Sequence, residues 1–238
     1  MSATVELPPT PPNTLSATTA RPRGRRGRRT SAAVLTVALG AGALSVAAHA
    51  VTDEDTRQEV FRGLDALVVD LDAGSVELVA AADGATTVTT TRRWRHRAPA
   101  SELRRDGDRL SVASACPDAD WLAVASRCEV RYRIAVPPEV RVTVGVDAAT
   151  VTGSGLTTQQ LSVRAAAGDV RLDFAAAPRA VLAHSVVGEV HVSVPDGRYR
   201  VEADSALGEV DVDVPDDPRA SRLIDVRTSA GDVTVRPR

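Results

Sequence analysis

Four acidic residues in the C-terminal third of this chain each follow a glycine: Asp169 after Gly168, Glu189 after Gly188, Glu209 after Gly208 and Asp232 after Gly231. The first three glycines are 20 residues apart, and the last comes 23 residues later. Carboxylates repeated this way could form a stripe for a divalent cation or a cationic ligand, because hard cations take oxygen donors. If the repeats stack in register, the carboxylates form a file ~4.8 Å apart. Each neighbouring pair then repels by about 0.9 kcal/mol in fully solvated conditions. A wet corner tolerates that cost, so the same residues serve equally well as acceptors for turn N–H groups. The nine-residue glycine-rich pattern of calcium-binding coils is absent. No metal and no cofactor is expected.

Catalysis is weighed on the same residues. Asp169, Asp173 and Glu189 could pair as the acid and base of a polysaccharide-cleaving β-helix enzyme. That chemistry needs unlike environments to separate acid from base, whereas these acids recur at one position of every repeat. Gly153-Ser154-Gly155 lacks the full nucleophile-elbow pattern, and phosphate-loop, dinucleotide and zinc-protease motifs are missing. His184 and His191 fall on different strands without a third ligand. Arg92, Arg93, Arg95, His96 and Arg97 surround Trp94; they could hold an acidic polymer, and they read more simply as a solvated loop. The reading is of a protein that is not an enzyme.

The elements that position these groups follow from the repeat. The blocks AAAGDVRLDF, SVVGEVHVSV, SALGEVDVDV and TSAGDVTVRP share one grammar: small, small, Gly, acid, Val, then alternation. Val170, Leu172 and Phe174 alternate with Arg171 and Asp173, and Val190, Val192 and Val194 with His191 and Ser193. Period two with β-branched residues predicts half-buried strands. A second alternating run precedes each glycine, so each unit is strand, corner, strand, turn. One strand pair cannot bury its apolar face alone, so identical units must stack. The expected fold is all-β, a parallel β-solenoid-like pile of about 20-residue coils with Val170, Val190 and Val210 above one another. An antiparallel β-sandwich is the alternative. Counting back 20 from Gly168 puts Ala148 at a degenerate corner.

Residues 64–146 read as β material of poorer periodicity that starts or caps the array. The basic stretch RRWRHRAPASELRRDGDR within it reads as irregular. Aromatic residues make up only 3% of the chain, so Val, Ala and Leu must fill the interior.

The N-terminus is different. Residues 1–30 form a disordered tail ending in RPRGRRGRR, followed by an uncharged run, Ser31–Val51, preceding a β-repeat domain over 60–238. As a helix the run spans ~31 Å, about one hydrocarbon core. The arginines stay cytoplasmic and everything after Val51 lies outside. The expectation is therefore a single-pass cell-membrane protein whose membrane partner is Ser31–Val51. The alternative is secretion after cleavage following Ala50, at the Ala48-His49-Ala50 site. Beyond residue 51 there are 23 arginines against 30 acidic residues and no lysine. That balance argues against a nucleic-acid partner. The two cysteines, Cys116 and Cys128, fall in the outer part, where an oxidising compartment favours a disulfide. Closing that loop contributes ~3 kcal/mol on a chain-entropy account.

The glycine-acid-Val coils, Cys116-Pro117 with the later Cys128, the strand Tyr132 to Pro137 and the N-terminal apolar segment together resemble the bacterial "putative adhesin" domains. The resemblance covers residues 60–238. It implies a β-solenoid-like envelope module without catalysis, binding an unidentified envelope protein or glycan. A regulatory accessory that senses envelope stress is a further alternative.

Overall fold

The computed structural model describes residues 53–94, 98–116 and 128–238. The tail 1–30, the apolar run Ser31–Val51 with its expected helix, Arg95, His96, Arg97 and Trp121 lie outside them. Among the described residues every regular element is a strand. The first three are β1 (Asp53–Phe61), β2 (Ala66–Ala80) and β3 (Thr86–Trp94). Next come β4 (Ala100–Asp106), β5 (Arg109–Ala115), β6 (Cys128–Val136) and the long β7 (Arg141–Leu156). Thereafter the strands come in pairs about a corner: β8 (Gln160–Ala167) with β9 (Val170–Phe174), and β10 (Ala180–Val187) with β11 (Val190–Val194). The last two pairs are β12 (Arg200–Ser205) with β13 (Val210–Val212), and β14 (Leu223–Ala230) with β15 (Val233–Pro237).

All 15 strands join one mixed sheet. From β7 onward every pairing is parallel, with the register kept throughout except at one bulge between β7 and β9. Antiparallel pairs occur at the other end, where β3 lies between β1 and β6 and β4 pairs with β5. Two ladders result. One runs β5–β2–β7–β8–β10–β14–β12, and the other runs β6–β2–β7–β9–β11–β15–β13. β2 and β7 belong to both, because each continues through its corner.

Alternation sorts the side chains. Leu67, Val142, Leu161, Val181 and Ile224 lie in one register row, and Val76, Val151, Val170, Val190 and Val233 in another. All of these are buried. Burying each fully contributes about 1.5–3 kcal/mol over leaving it in water, so the rows are the main source of cohesion.

Three sequence expectations are corrected and one local feature is added. First, chain order is not stacking order: Val170 pairs with Val190, but Val190 pairs next with Val233, and Val210 lies beyond Val233. The β14–β15 unit is inserted between β10–β11 and β12–β13. Second, Ala149 and not Ala148 stands at the degenerate corner, opposite Gly74. The 19-residue offset of Val151 from Val170, instead of 20, moves the register by one. Third, part of the basic stretch read as irregular is strand β4, which pairs with β5 through a two-residue turn at Gly107-Asp108. Gly107 takes φ 60, which glycine adopts without strain. Fourth, Gly153-Ser154-Gly155 forms a bulge: the register shifts between Gly153 and Leu156. A Cβ on Gly153 would lie 2.5 Å from Leu156 Cδ1.

The corner glycines set the tightest tolerance. Gly188 has φ 141, and a Cβ there would lie 2.2 Å from the carbonyl oxygen of Gly168. Gly84 has φ 67 with nothing near its missing Cβ. Gly188→Ala is therefore expected to cost more than the ~1–3 kcal/mol of a strained backbone position alone, whereas Gly84→Ala costs ~1–2 kcal/mol. Urea unfolding followed by circular dichroism checks the difference; equal losses would refute the close-contact account.

Candidate functional site: the glycine corner

The corner is a column of backbone in near contact. The order is Val130, Gly74, Ala149, Gly168, Gly188, Gly231, Gly208. At each of the five glycines a Cβ would fall 2.0–2.2 Å from the next rung's carbonyl oxygen. Backbone bonds run along the column: the N–H of Gly168 donates to Val187 O at 2.9 Å, that of Gly188 to Ala230 O at 2.9 Å, and that of Gly231 to Leu207 O at 2.8 Å.

A row of hydroxyls supports it. Ser185 Oγ donates to Gly168 O at 3.3 Å, Thr228 Oγ1 to Gly188 O at 3.1 Å, and Ser205 Oγ to Gly231 O at 2.8 Å. Each hydroxyl stands three residues before its own corner glycine and bonds the glycine of the neighbouring rung. Sequence reasoning missed this row, although the pattern Ser/Thr-x-x-Gly recurs in three units.

The four acids form the expected file in the order Asp169, Glu189, Asp232, Glu209. The side chains of Asp169, Glu189 and Asp232 are turned onto protein. Asp169 Oδ1 accepts the N–H of Glu189 at 3.1 Å, and Asp232 Oδ1 accepts the N–H of Glu209 at 2.9 Å. Arg171 donates to Asp169 Oδ2 at 2.9 Å and to Glu189 Oε2 at 3.0 Å. The N–H of Glu189 and then Arg171 hold the Asp169 carboxyl below its usual range. Among the described residues, no group of three or more His, Cys, Asp or Glu is arranged to hold a metal ion. What the arrangement does chemically is terminate unpaired corner N–H groups, the role a short acidic side chain plays in turns.

The outer faces carry mixed charge. Arg171, His191, Thr234 and Asp211 lie in one row. Burial, Arg236 and Arg171 push His191 below the usual imidazole range. On the other ladder His184 Nε2 is 3.3 Å from Asp225 Oδ1, and Arg227 Nε is 2.8 Å from the same oxygen. Arg227 also bonds Glu202 at 3.1 Å. Trp94 ends β3 with the Arg92 guanidinium 5.6 Å above its ring, and Arg92 pairs with Asp55. A hollow of about 230 Å³ lies against Asp70, Asp72, Glu102 and the small side chains of Ala100, Ala113, Ser114 and Ala115. Neither the Asp225 cluster nor this hollow was legible in the sequence, because both join residues that only pairing brings together.

The cysteines flank one corner. Leu71 pairs with Ser114 and Ser75 with Arg131, so four steps along β2 correspond to 17 along the partner chain segment. Cys116 follows β5 and Cys128 begins β6, whose Val130 lies against Gly74. No free cysteine occurs among the described residues; the side chain of Cys128 lies outside them.

Neither a family model nor a curated protein matches the chain. Solved structures do. A "putative cell adhesion protein" from Clostridium sporogenes is matched over all of its length and 78% of this chain, at 10% identity and a TM-score of 0.58. A "putative adhesin" from Bacteroides fragilis is matched over 97% of its length and 78% of this chain, at 14% identity and a TM-score of 0.40. The resemblance to adhesin-type β-repeat domains is thus present in the fold.

Because the Asp169 carboxyl is held below the usual carboxylate range, its ionised form stabilises the folded state. That contribution is complete above pH ~5 and is lost as pH falls through the lowered folded value. Asp169→Asn is therefore expected to be less stable than wild type at pH 7 and to converge with it below pH ~4. Thermal melts across that range check the sign; a gap that widened in acid would refute it.

Proposed function

We propose that this chain is an exported envelope protein, held in the cell membrane by Ser31–Val51, whose solenoid-like β column serves a binding or structural role without catalysis. The observation that carries this reading is the end-to-end match to a structure described as a cell adhesion protein. At that identity the likeness is one of fold, and the role is carried over as a proposal. Three further features support it. The parallel in-register ladders fit a stack of coils. Three of the four corner acids, Asp169, Glu189 and Asp232, are engaged with backbone or arginine, which suits a repeat scaffold. The basic block before the apolar run fits an inside-facing tail. Among the described residues no helix is long and apolar enough to cross a membrane. A Cys116–Cys128 disulfide closing the corner excursion belongs to the same exported setting.

Fractionation of bacterial cells expressing the full chain tests the placement. The chain is expected in the membrane fraction, with residues after Val51 cleaved by protease added to intact cells. Recovery in the cytosol, protected from protease, would sink the proposal. Peptide mass spectrometry of the same material without reductant is expected to show Cys116 joined to Cys128.

A further inference from the structure

The β12–β13 unit ends both ladders: β12 pairs with β14 and β13 with β15. Its interior is half closed. Val214 is buried, Asp216 Oδ1 accepts the N–H of Val201 at 2.9 Å, and the N–H of Asp217 donates to Tyr199 O at 2.8 Å. Residues 213–217 thus cover the β12 side. The β13 side is open. Val210 and Val212 are 45% and 37% exposed, although their register mates Val233 and Val235 are fully buried. Leu207, at the adjoining corner, is 74% exposed.

The backbone is open there too. The carbonyl of Glu209 and the N–H of Asp213 are spent on β15, as acceptor from Val233 and donor to Val235, each at 2.9 Å. In a parallel pair alternate residues face the same neighbour, so Val210 and Val212 direct their N–H and C=O groups to the free edge. Unpaired edge groups beside exposed apolar side chains are a template for strand addition.

Charge selects the occupant. A strand added here would set its outward side chains ~4.8 Å from Glu209, Asp211 and Asp213. Arg236, 2.9 Å from Asp211 and 3.7 Å from Asp213, is shared between those two carboxylates. A second copy joined through the same edge would oppose like acids. A second copy joined through its β1 edge would bring Asp55, Arg57 and Glu59 over the valines, since these are the β1 residues whose partners Thr90 and Val88 face the interior. The first arrangement sets valine beside valine but brings acid against acid, and the second lays charged side chains over Val210 and Val212, so neither satisfies both faces of the edge.

We infer that the β13 edge receives, by strand addition, an extended partner segment in which apolar residues alternate with basic ones. The inference rests on the binding role proposed above and names its place and chemistry.

The test uses the full chain and a fluorescent nine-residue peptide of alternating Val and Arg. The comparators are an alternating Val and Glu peptide and a Val and Arg peptide of the same composition in two blocks. Saturable binding of the alternating Val and Arg peptide is expected, with both comparators at least tenfold weaker. Val212→Pro removes an edge N–H that β15 does not use; it is expected to weaken binding at least tenfold with an unchanged circular dichroism spectrum. Asp211→Arg with Asp213→Arg is expected to reverse the preference toward the Val and Glu peptide, which keeps the proposal testable should Val212→Pro misfold. No binding, equal binding of the block peptide, or indifference to both variants would overturn the inference. So would a dimer in sedimentation that Val212→Pro dissolves, because the occupant would then be a second copy. These outcomes leave membrane placement untouched, which fractionation decides separately.

Discussion

The whole array depends on one steric condition: at the corner, the Cα of each rung sits against the carbonyl oxygen of the next. Strands in a ladder are ~4.8 Å apart, and at five of the corners a Cβ would fall 2.0–2.2 Å from the neighbouring carbonyl oxygen, which that spacing does not allow. Glycine removes the Cβ and tolerates φ between 133 and 153 at Gly74, Gly168, Gly188, Gly208 and Gly231. Ser185, Thr228 and Ser205 then supply donors to the corner carbonyls. With the corners in register, alternation does the rest, because a slip of one residue would turn every valine outward.

Corner chemistry also bears on which rung lies beside which. Units of similar sequence could stack in chain order, with β12–β13 directly on β10–β11. In the observed order aspartate and glutamate alternate: Asp169, Glu189, Asp232, Glu209. Each aspartate accepts the N–H of the glutamate after it, at 3.1 and 2.9 Å. Chain order would place Glu189 beside Glu209, with no short carboxylate for the Glu209 N–H. Tyr199 reinforces the observed choice: it is fully buried and donates to Pro195 O at 2.9 Å, while the segment after β13 folds back over the start of β12. Local preference and global order therefore agree, which is the condition for a unique stack among similar parts.

This explains what the sequence made legible and what it did not. Valine alternation and glycine spacing are local, and they disclosed the strands, the corners and the acid file. Rung order is a long-range property, so placing Val210 next to Val190 was an error that spacing invited. The 23-residue interval before Gly231 was the one visible sign of an irregular step. The Ala149 corner was misplaced by one residue because that coil is 19 residues long, not 20, and no single residue announces that. Strand β4 was hidden by its arginines, although Asp106-Gly107 is a turn signal. The Asp225–His184–Arg227 cluster and the Asp70–Asp72–Glu102 hollow have no sequence signature, since their members come from strands far apart in the chain.

A repeat that uses its most reactive groups for its own corners leaves specificity to positions where the repeat is broken. Carboxylates in equivalent environments cannot divide the labour of acid and base, and those that accept backbone N–H groups are already committed. The departures lie elsewhere: the antiparallel β1–β3–β6 end, the excursion between Cys116 and Cys128, and the last rung. Of these, the last rung combines unpaired backbone, exposed valines and unbalanced charge in one place. A stack of similar units must end somewhere, and its final rung exposes what every other rung buries. The β12 side of that rung is covered by the chain itself through Val214 and Asp216, while the β13 side is left for another strand to complete.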